Sequence, residues 1–411
     1  MIPLHIHSHY SLLDGAFRID ELIQKAKELN IRSLALTDTN GMYGLVNFYK
    51  QCNEAGIKPI LGGYLNDISD KKKYALFLAK NEQGFSDLCK IITSRKLDDN
   101  FDLKALLKDY QPNLIIITPV VEYLKIVNPK NQFYAELFKT KRQKNYTAEL
   151  YSFTKEKKIK VVASNPIYFL NKDDFIIHKL LRAIDENTTI ANLGDEEVAD
   201  PEFYFKSLDE MKNLFRDIPE ALLESEKIAE QCNVNLKIGE YKFPYFPNAK
   251  PDSFTFFYKI VYDGFSRKYP NATLSEKERL EKEIEVITSL GFVDYFLIVW
   301  DIVQVAKRRG ILYIGRGSAA NSMVAYCLDL TQIEPIRNNL FFERFLNRAR
   351  SSPPDVDLDF SWKERDEMIK YVFEKYGYEN VAMISTHVTF RARSAFREVA
   401  KAFGISDAEI S

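Results

Sequence analysis

The sequence lacks the features that would place a protein in an oxidising compartment or in a membrane. Its 411 residues include four cysteines, at positions 52, 89, 232 and 327, and none of them forms a CxxC pair. No apolar run reaches the 18 residues from which a membrane-spanning helix is recognised. Scattered thiols and the missing span therefore predict a cytoplasmic protein with reduced cysteines and no membrane partner.

An overall excess of charge is also missing. The formal net charge is −1, so the molecule as a whole gives no indication of a polyanionic partner. The local distribution is less even, because residues 307–350 hold eight Lys or Arg and only three acidic residues. This segment could attract a nucleotide or a nucleic acid.

The order of the segments predicts an α/β fold with more than one domain. Short β-like runs alternate with amphipathic helical runs over residues 1–170, which is typical of an α/β barrel or a wound sheet. A helical stretch covers 173–232, prolines mark a linker at 239–253, and long helical patterns fill 253–309. The predicted strands are Ile2 to Ile6, Ser33 to Thr37, Lys58 to Leu61, Tyr74 to Ala79, Leu114 to Thr118 and Lys160 to Ser164.

Residues 353–360 read PPDVDLDF, with acidic and apolar side chains at alternate positions. In a strand, Asp355, Asp357 and Asp359 all point to one face and the apolar residues point to the other. Two carboxylates ~4 Å apart repel by about 1 kcal/mol in water, and a bound cation removes that cost. Mg²⁺ prefers hard oxygen ligands and keeps room for substrate phosphates, so the pattern predicts a magnesium site.

A glycine-rich loop, GRGSAANS, covers residues 315–322 upstream of these carboxylates. Gly315 and Gly317 allow backbone conformations that aim N–H groups at an anion, and Ser318 is the expected N-cap of the next helix. Arg316 and Arg344 are candidates for contact with a triphosphate. Arg344 could equally pair with Glu343 or Asp366. A phosphate loop beside a carboxylate strand predicts metal-assisted phosphoryl or nucleotidyl transfer.

A second cluster of polar residues lies at the start of the chain. Three of the five histidines occur in HIHSH, residues 5–9, where His5 and His7 share a face. Asp14 follows in SLLDG, and Asp38 ends the second predicted strand. These residues could hold a transition metal at the mouth of a barrel, or they could form a hydrogen-bonded polar cluster.

The N-terminal motifs resemble those of the polymerase and histidinol phosphatase (PHP) domain. The resemblance is carried by LHIHSHYSLLDG, by LALTDTNGMYGLV at 34–46 and by GIKPILGG at 56–63. It implies a distorted (β/α) barrel, but several expected metal ligands are replaced. The residues at those positions are Thr39, Tyr64, Tyr74, Pro166 and Tyr168. The resemblance therefore implies a vestigial site, with His5, His7, Asp14 and Asp38 left over and no bound PHP metal.

The rest of the chain resembles C-family polymerases, the family of the bacterial DNA polymerase III alpha subunit. GFVDYFLIVWDIV (291–303), GRGSAANSMVAYCL (315–328) and FFERFLNRARSSPPDVDLDF (341–360) look like successive palm motifs. The resemblance implies that Asp357 and Asp359 hold two Mg²⁺ ions. Asp355 is a third candidate that could instead be a structural cap. The implied substrates are dNTPs and primer–template DNA.

The resemblance also implies a division of the chain and its partners. Residues 1–240 correspond to the PHP domain, 241–290 to a linker and helical segment, 291–390 to a partial polymerase-β-like palm, and 391–411 to the start of a thumb. A third catalytic aspartate and the regions that contact the sliding clamp and other replisome subunits would lie outside this sequence. GRGSAANS and residues 387–404 are closer to the error-prone branch than to the main replicase.

Three functions follow as hypotheses. The leading one is a template-directed DNA polymerase for replication or lesion bypass. The second is a PHP phosphoesterase or 3′–5′ exonuclease, on the strength of HIHSH. The third is a non-catalytic binding module, because this sequence alone lacks part of the expected active centre.

Overall fold

The computed structural model of the chain describes residues 1–240, 244–247, 249–348 and 353–410. The chain divides into two compact units. The first contains Met1–Leu236 together with 388–410, and the second contains Lys237–His387. Residues 349–352, which belong to the motif predicted at 341–360, lie outside the described residues.

The first unit is built on a curled six-stranded sheet in the order β1-β2-β3-β4-β5-β6. Strand β3 runs antiparallel to both of its neighbours, whereas the other pairs are parallel. This reversal distinguishes the sheet from a regular (β/α)₈ barrel. The strands are β1 Ser33–Leu36, β2 Lys58–Asn66, β3 Tyr74–Ala79, β4 Leu114–Thr118, β5 Gln132–Leu137 and β6 Val161–Ala163.

The N-terminal segment lies between β1 and the residues that follow β6. The Ala35 N–H donates to the Pro3 carbonyl, and the His7 N–H donates to the Ile167 carbonyl. Only Ile6 forms a bridge, so the predicted strand Ile2 to Ile6 is an extended segment. Pro3 has no N–H to offer to a ladder, which explains the interruption.

Alternate residues of the strands pack on opposite sides of the sheet. Leu76 and Leu78 contribute to the cluster inside the curl, whereas Ala75 and Phe77 pack against helices outside it. The helices of this unit are α1 Ile19–Glu28, α2 Leu45–Glu54, α3 Glu82–Leu97, α4 Leu103–Lys108, α5 Val121–Ile126, α6 Lys144–Lys157, α7 Phe175–Asp185, α8 Leu208–Leu214 and α9 Pro219–Gln231. The α/β prediction for this part of the chain is confirmed.

The C-terminal segment belongs to the first unit. Helices α15 Ala392–Ala402 and α16 Asp407–Ile410 lie here, and α15 packs against α7. The Ile190 N–H donates to the Ala402 carbonyl. The segment expected to begin a separate thumb, 391–411, is therefore grouped with the PHP-like unit as far as it is described.

The second unit is mostly helical. Its helices are α10 Ser253–Lys268, α11 Leu274–Ser289, α12 Val293–Arg308, α13 Met323–Cys327 and α14 Arg365–Tyr376. Strands β7 Tyr313–Arg316 and β8 Asp357–Phe360 form an antiparallel pair. Buried Phe257, Phe296 and Phe345 lie in one apolar cluster that holds the helices together.

None of the helices in the described residues is alone long and apolar enough to cross a membrane. The pair α11–α12, bent by 111° between its two halves, passes the same length and composition test.

Candidate functional site

The strand pair β7–β8 brings the glycine-rich loop and the carboxylates together. In its register, Arg316 lies directly opposite Asp357, and Ile314 lies opposite Asp359. Directly opposed residues of an antiparallel pair share a face, and residues two apart on one strand share it too. Arg316, Asp357 and Asp359 therefore project from the same side of the sheet.

The alternation along β8 agrees with the prediction. Val356 and Leu358 pack against the apolar core of the second unit, whereas the Asp357 and Asp359 side chains are 41% and 54% exposed. Asp355 precedes the strand and is exposed. The expectation that all three carboxylates belong to one strand is therefore wrong for Asp355, because the ladder begins at Asp357.

A guanidinium group already occupies the space between the two strand carboxylates. Arg316 Nε lies 2.7 Å from Asp359 Oδ2, and Arg316 Nη1 lies 3.8 Å from Asp357 Oδ2. These contacts raise the pKa of Arg316, with the hydrogen bond to Asp359 the largest cause. Carboxylate oxygens are hard donors of the kind that divalent cations accept, and here a guanidinium lies beside both of them.

The two glycines have different roles. A Cβ on Gly315 would lie 1.6 Å from the Leu330 carbonyl oxygen, and the Gly315 N–H donates to Gln332 Oε1 at 3.2 Å. Gly315 is thus required for close packing. The expectation that its N–H faces an anion is wrong, because that N–H is bonded to Gln332. Gly317 has a φ of +77°, and a Cβ there would lie 3.2 Å from Asp357 Oδ2. Gly317 therefore keeps the space beside that carboxylate open.

Ser318 does not cap the helix that follows the loop. It lies in the 3₁₀ turn Gly317–Asn321, and the N-cap of α13 is Ser322, whose hydroxyl accepts from the Ala325 N–H. Sequence reasoning placed the helix four residues too early, because the run of small residues GSAAN is compatible with either helix type.

The N-terminus of α13 is not free for phosphate either. Glu283 Oε2 accepts hydrogen bonds from the Ser322 hydroxyl at 2.8 Å and from the Val324 N–H at 3.1 Å. Arg279 pairs with the same carboxyl group and also donates to the Asn321 carbonyl. A buried protein carboxylate thus takes the anion position. Sequence reasoning missed this pair, since it comes from α11, about 40 residues upstream.

Two further side chains border the site. Arg344 is exposed on the 3₁₀ turn Phe342–Arg344, which packs against the turn Gly317–Asn321. Its two suggested partners are paired elsewhere, Glu343 with Lys282 and Asp366 with Arg365. Tyr295, which sequence reasoning did not select, contacts the Val356 backbone. Burial raises its pKa, and the charges of nearby carboxylates raise it further.

The N-terminal histidines lie in a buried hydrogen-bond network. His5 Nδ1 donates to Glu136 Oε1 at 2.7 Å, and the Tyr74 hydroxyl donates to Glu136 Oε2 at 2.6 Å. His5 Nε2 and His7 Nε2 are 2.8 Å apart, so one donates to the other. Burial would raise the pKa of Glu136, but His5 and the hydroxyl groups hold it below its usual value. Sequence reasoning missed Glu136.

The rest of this pocket is also internally bonded. The Asp38 carboxylate accepts hydrogen bonds from the Ser8 hydroxyl, the Ser11 hydroxyl and the Ser8 N–H, at 2.7–3.0 Å. Burial raises the pKa of both Asp14 and Asp38 to about 6. Burial also lowers the pKa of His7 well below its usual value. His7 and Asp38 are buried, whereas the Asp14 side chain remains 23% exposed.

Tyrosine rings fill the positions where the PHP pattern has metal ligands. The Tyr168 ring stacks on His7 with centroids 4.3 Å apart, and the Tyr64 ring stacks on Tyr74 at 4.4 Å. Within the described ranges, no group of three or more His, Cys, Asp or Glu side chains has metal-binding geometry. In this pocket the Nε2 atoms of His5 and His7 face each other, and His5 Nδ1 is bonded to Glu136.

The two parts of the chain match two different family models. The family model for the PHP domain matches residues 3–177, and the model for the bacterial DNA polymerase III alpha NTPase domain matches 255–411. The DNA polymerase III subunit alpha of Bacillus subtilis is 36% identical over 99% of this chain and 39% of its own length. That of Borreliella burgdorferi is 35% identical over 99% of this chain and 39% of its own length.

A relative with a different name matches equally broadly. The error-prone DNA polymerase of Symbiobacterium thermophilum is 33% identical over 100% of this chain and 41% of its own length. The chain thus spans about two fifths of the length of these relatives. The two family models together cover more than half of the chain, and the relatives cover nearly all of it. The chain thus carries a PHP domain followed by a bacterial DNA polymerase III alpha NTPase domain, and over nearly its whole length it is similar to bacterial DNA polymerase III alpha subunits.

Proposed function

We propose that this chain carries the metal-binding carboxylates and the phosphate loop of a DNA-directed DNA polymerase. One observation supports the proposal above the others: the β7–β8 register sets Arg316 opposite Asp357 and diagonal to Asp359. The family relationship supplies the reaction, transfer of a nucleotide from a dNTP to the 3′-hydroxyl of a primer.

In this proposal Asp357 and Asp359 hold two Mg²⁺ ions, and Asp355 stands at the edge of the site. Bound Mg²⁺ neutralises the triphosphate and activates the 3′-hydroxyl for attack. Arg316 and Arg344 contact the phosphates, since guanidinium groups match phosphate geometry. The absence of a side chain at Gly317 leaves room beside Asp357.

The partners are proposed on the same basis. Primer–template DNA and dNTPs are the substrates, in replication or in error-prone lesion bypass. The sliding clamp and other replisome subunits would contact regions of the longer relatives that this chain does not span. The expected location of this DNA synthesis is the cytoplasm.

Nucleotide binding tests the proposal. Isothermal titration calorimetry of the 411-residue chain with dTTP should show binding in Mg²⁺ and none in EDTA. Asp357→Asn and Asp359→Asn should each weaken it at least about tenfold, since each removes one charged ligand. Asp366→Asn is the control, because Asp366 is 80% exposed and pairs only with its neighbour Arg365 in the described contacts. Unchanged binding in both β8 variants would exclude the assignment.

We further propose that the PHP pocket of this chain is a metal-free scaffold. The buried network of His5, His7, Glu136 and Tyr74 satisfies the groups that a metal would otherwise hold. Purified chain should therefore contain far less than one equivalent of zinc or manganese and should not hydrolyse p-nitrophenyl phosphate. One equivalent of either metal together with phosphatase activity would instead support the PHP phosphoesterase hypothesis.

A further inference from the structure

Arg316 is held by the carboxylates that the proposed metal ions need. Its Nε is 2.7 Å from Asp359 Oδ2, while its Nη1 is 3.8 Å from Asp357 Oδ2. The Arg316 side chain is 61% exposed, so burial does not fix it in this position. Among the described contacts, the two ion pairs and the β7–β8 register hold it there. The contact is therefore exchangeable.

A divalent ion and this guanidinium cannot both occupy the space between the two carboxylates. Asp359 Oδ2 already accepts from Arg316 Nε at hydrogen-bond distance. A doubly charged ion ~4 Å from a guanidinium is repelled by it even in water. Arg316 must move when an ion binds to these oxygens.

The loop beside Arg316 has space next to Asp357, because Gly317 carries no side chain. Arg316 immediately precedes the open backbone at Gly317, and the α13 N-terminus beyond it is taken by Glu283. A triphosphate carries more negative charge than the two carboxylates and accepts a guanidinium in bidentate geometry. A guanidinium that leaves the carboxylates is therefore free to contact a phosphate bound beside them.

We propose that Arg316 is an exchange residue that couples metal binding to nucleotide binding. Without metal it neutralises Asp357 and Asp359. When a divalent ion takes its place, Arg316 is released to the triphosphate, so each ligand favours the other. This inference rests on the proposed function of the same site and adds a coupling between its two ligands.

The test measures Mn²⁺ affinity directly, by electron paramagnetic resonance of free Mn²⁺ titrated with the 411-residue chain. Arg316→Ala removes the competing cation, so Mn²⁺ should bind about two- to tenfold more tightly without nucleotide, as expected for one or two exposed ion pairs. The same variant should bind dTTP more weakly at saturating Mg²⁺. Arg365→Ala, which breaks a comparably exposed pair with Asp366, is the matched control and should change neither affinity.

The outcomes separate this inference from the proposed function. If Arg316→Ala leaves Mn²⁺ affinity unchanged or weakens it, Arg316 does not compete with the ion and the exchange is refuted. If the double variant of Asp357→Asn and Asp359→Asn still binds Mn²⁺ like the wild type, the metal site itself is misassigned. Tighter Mn²⁺ binding with weaker dTTP binding supports the exchange.

Discussion

The buried carboxylate of Glu283 should contribute strongly to the stability of the second unit. Its side chain is fully buried, accepts from Ser322 and Val324, and pairs with Arg279. Removing one partner of a buried pair costs about 3–5 kcal/mol. Arg279 keeps 25% of its side chain exposed and can be rehydrated, so Glu283→Ala should cost about 3 kcal/mol at pH 7.

Urea denaturation followed by tryptophan fluorescence is a selective assay for this effect. Both tryptophans of the chain, Trp300 and Trp362, lie in the second unit. Glu278→Ala is the control, because Glu278 is exposed on the same helix. It should change the free energy of unfolding by less than about 0.5 kcal/mol. A cost of Glu283→Ala below about 1 kcal/mol would refute the assigned role.

The pH dependence of the same variant has a definite sign. Burial raises the pKa of Glu283 above its value in the unfolded chain, and hydrogen bonds from the α13 N-terminus only partly oppose this. Such a group contributes stability that is fully present below the unfolded pKa and is lost as the pH rises through the folded pKa. Glu283→Ala should therefore cost more at pH 5 than at pH 7. A penalty that grows from pH 5 to pH 7 would contradict this reasoning.

Three further variants test other parts of the structure. Gly315→Ala would put a Cβ 1.6 Å from the Leu330 carbonyl oxygen and should destabilise the second unit by at least about 1–3 kcal/mol in the tryptophan assay. Tyr74→Phe removes a 2.6 Å hydrogen bond to buried Glu136 and should cost about 1–3 kcal/mol in a circular dichroism melt. Asp301→Ala removes a carboxylate bound to two tyrosines and a lysine of α14, and should cost about 3 kcal/mol in the tryptophan assay.

Exposed residues of the same type are the controls for two of these variants. Tyr110→Phe and Asp263→Ala change exposed side chains and should each shift stability by less than about 0.5 kcal/mol. If Tyr74→Phe lowers the stability no more than Tyr110→Phe does, the Glu136 network does not stabilise the pocket. If Asp301→Ala lowers the stability no more than Asp263→Ala does, α14 is held by other contacts.

Strands with a continuous apolar run could be predicted from the sequence, and a strand interrupted by charge could not. Tyr74–Ala79 and Leu114–Thr118 were predicted with the bounds that the structure has. Strand β5, Gln132–Leu137, was missed because Glu136 breaks its apolar pattern. That glutamate is buried only because His5 and Tyr74, distant in sequence, supply its partners.

The same distinction applies to the candidate active site. The alternation of Asp357, Leu358 and Asp359 could be interpreted locally, since a strand has a period of two. The pairing of Arg316 with these carboxylates and the capping of α13 by Glu283 depend on register and on packing between helices. A single sequence without its fold does not contain that information, so Ser318 was chosen as the cap in place of Ser322.

The most direct test of the central claim is to locate Mn²⁺ by its anomalous diffraction in a crystal of the 411-residue chain soaked with Mn²⁺ and dTTP. The account predicts Mn²⁺ density in contact with Asp357 and Asp359, the Arg316 guanidinium turned to the triphosphate, and no such density beside His5 and His7. Strong density at the histidines with none at the β8 carboxylates would contradict it.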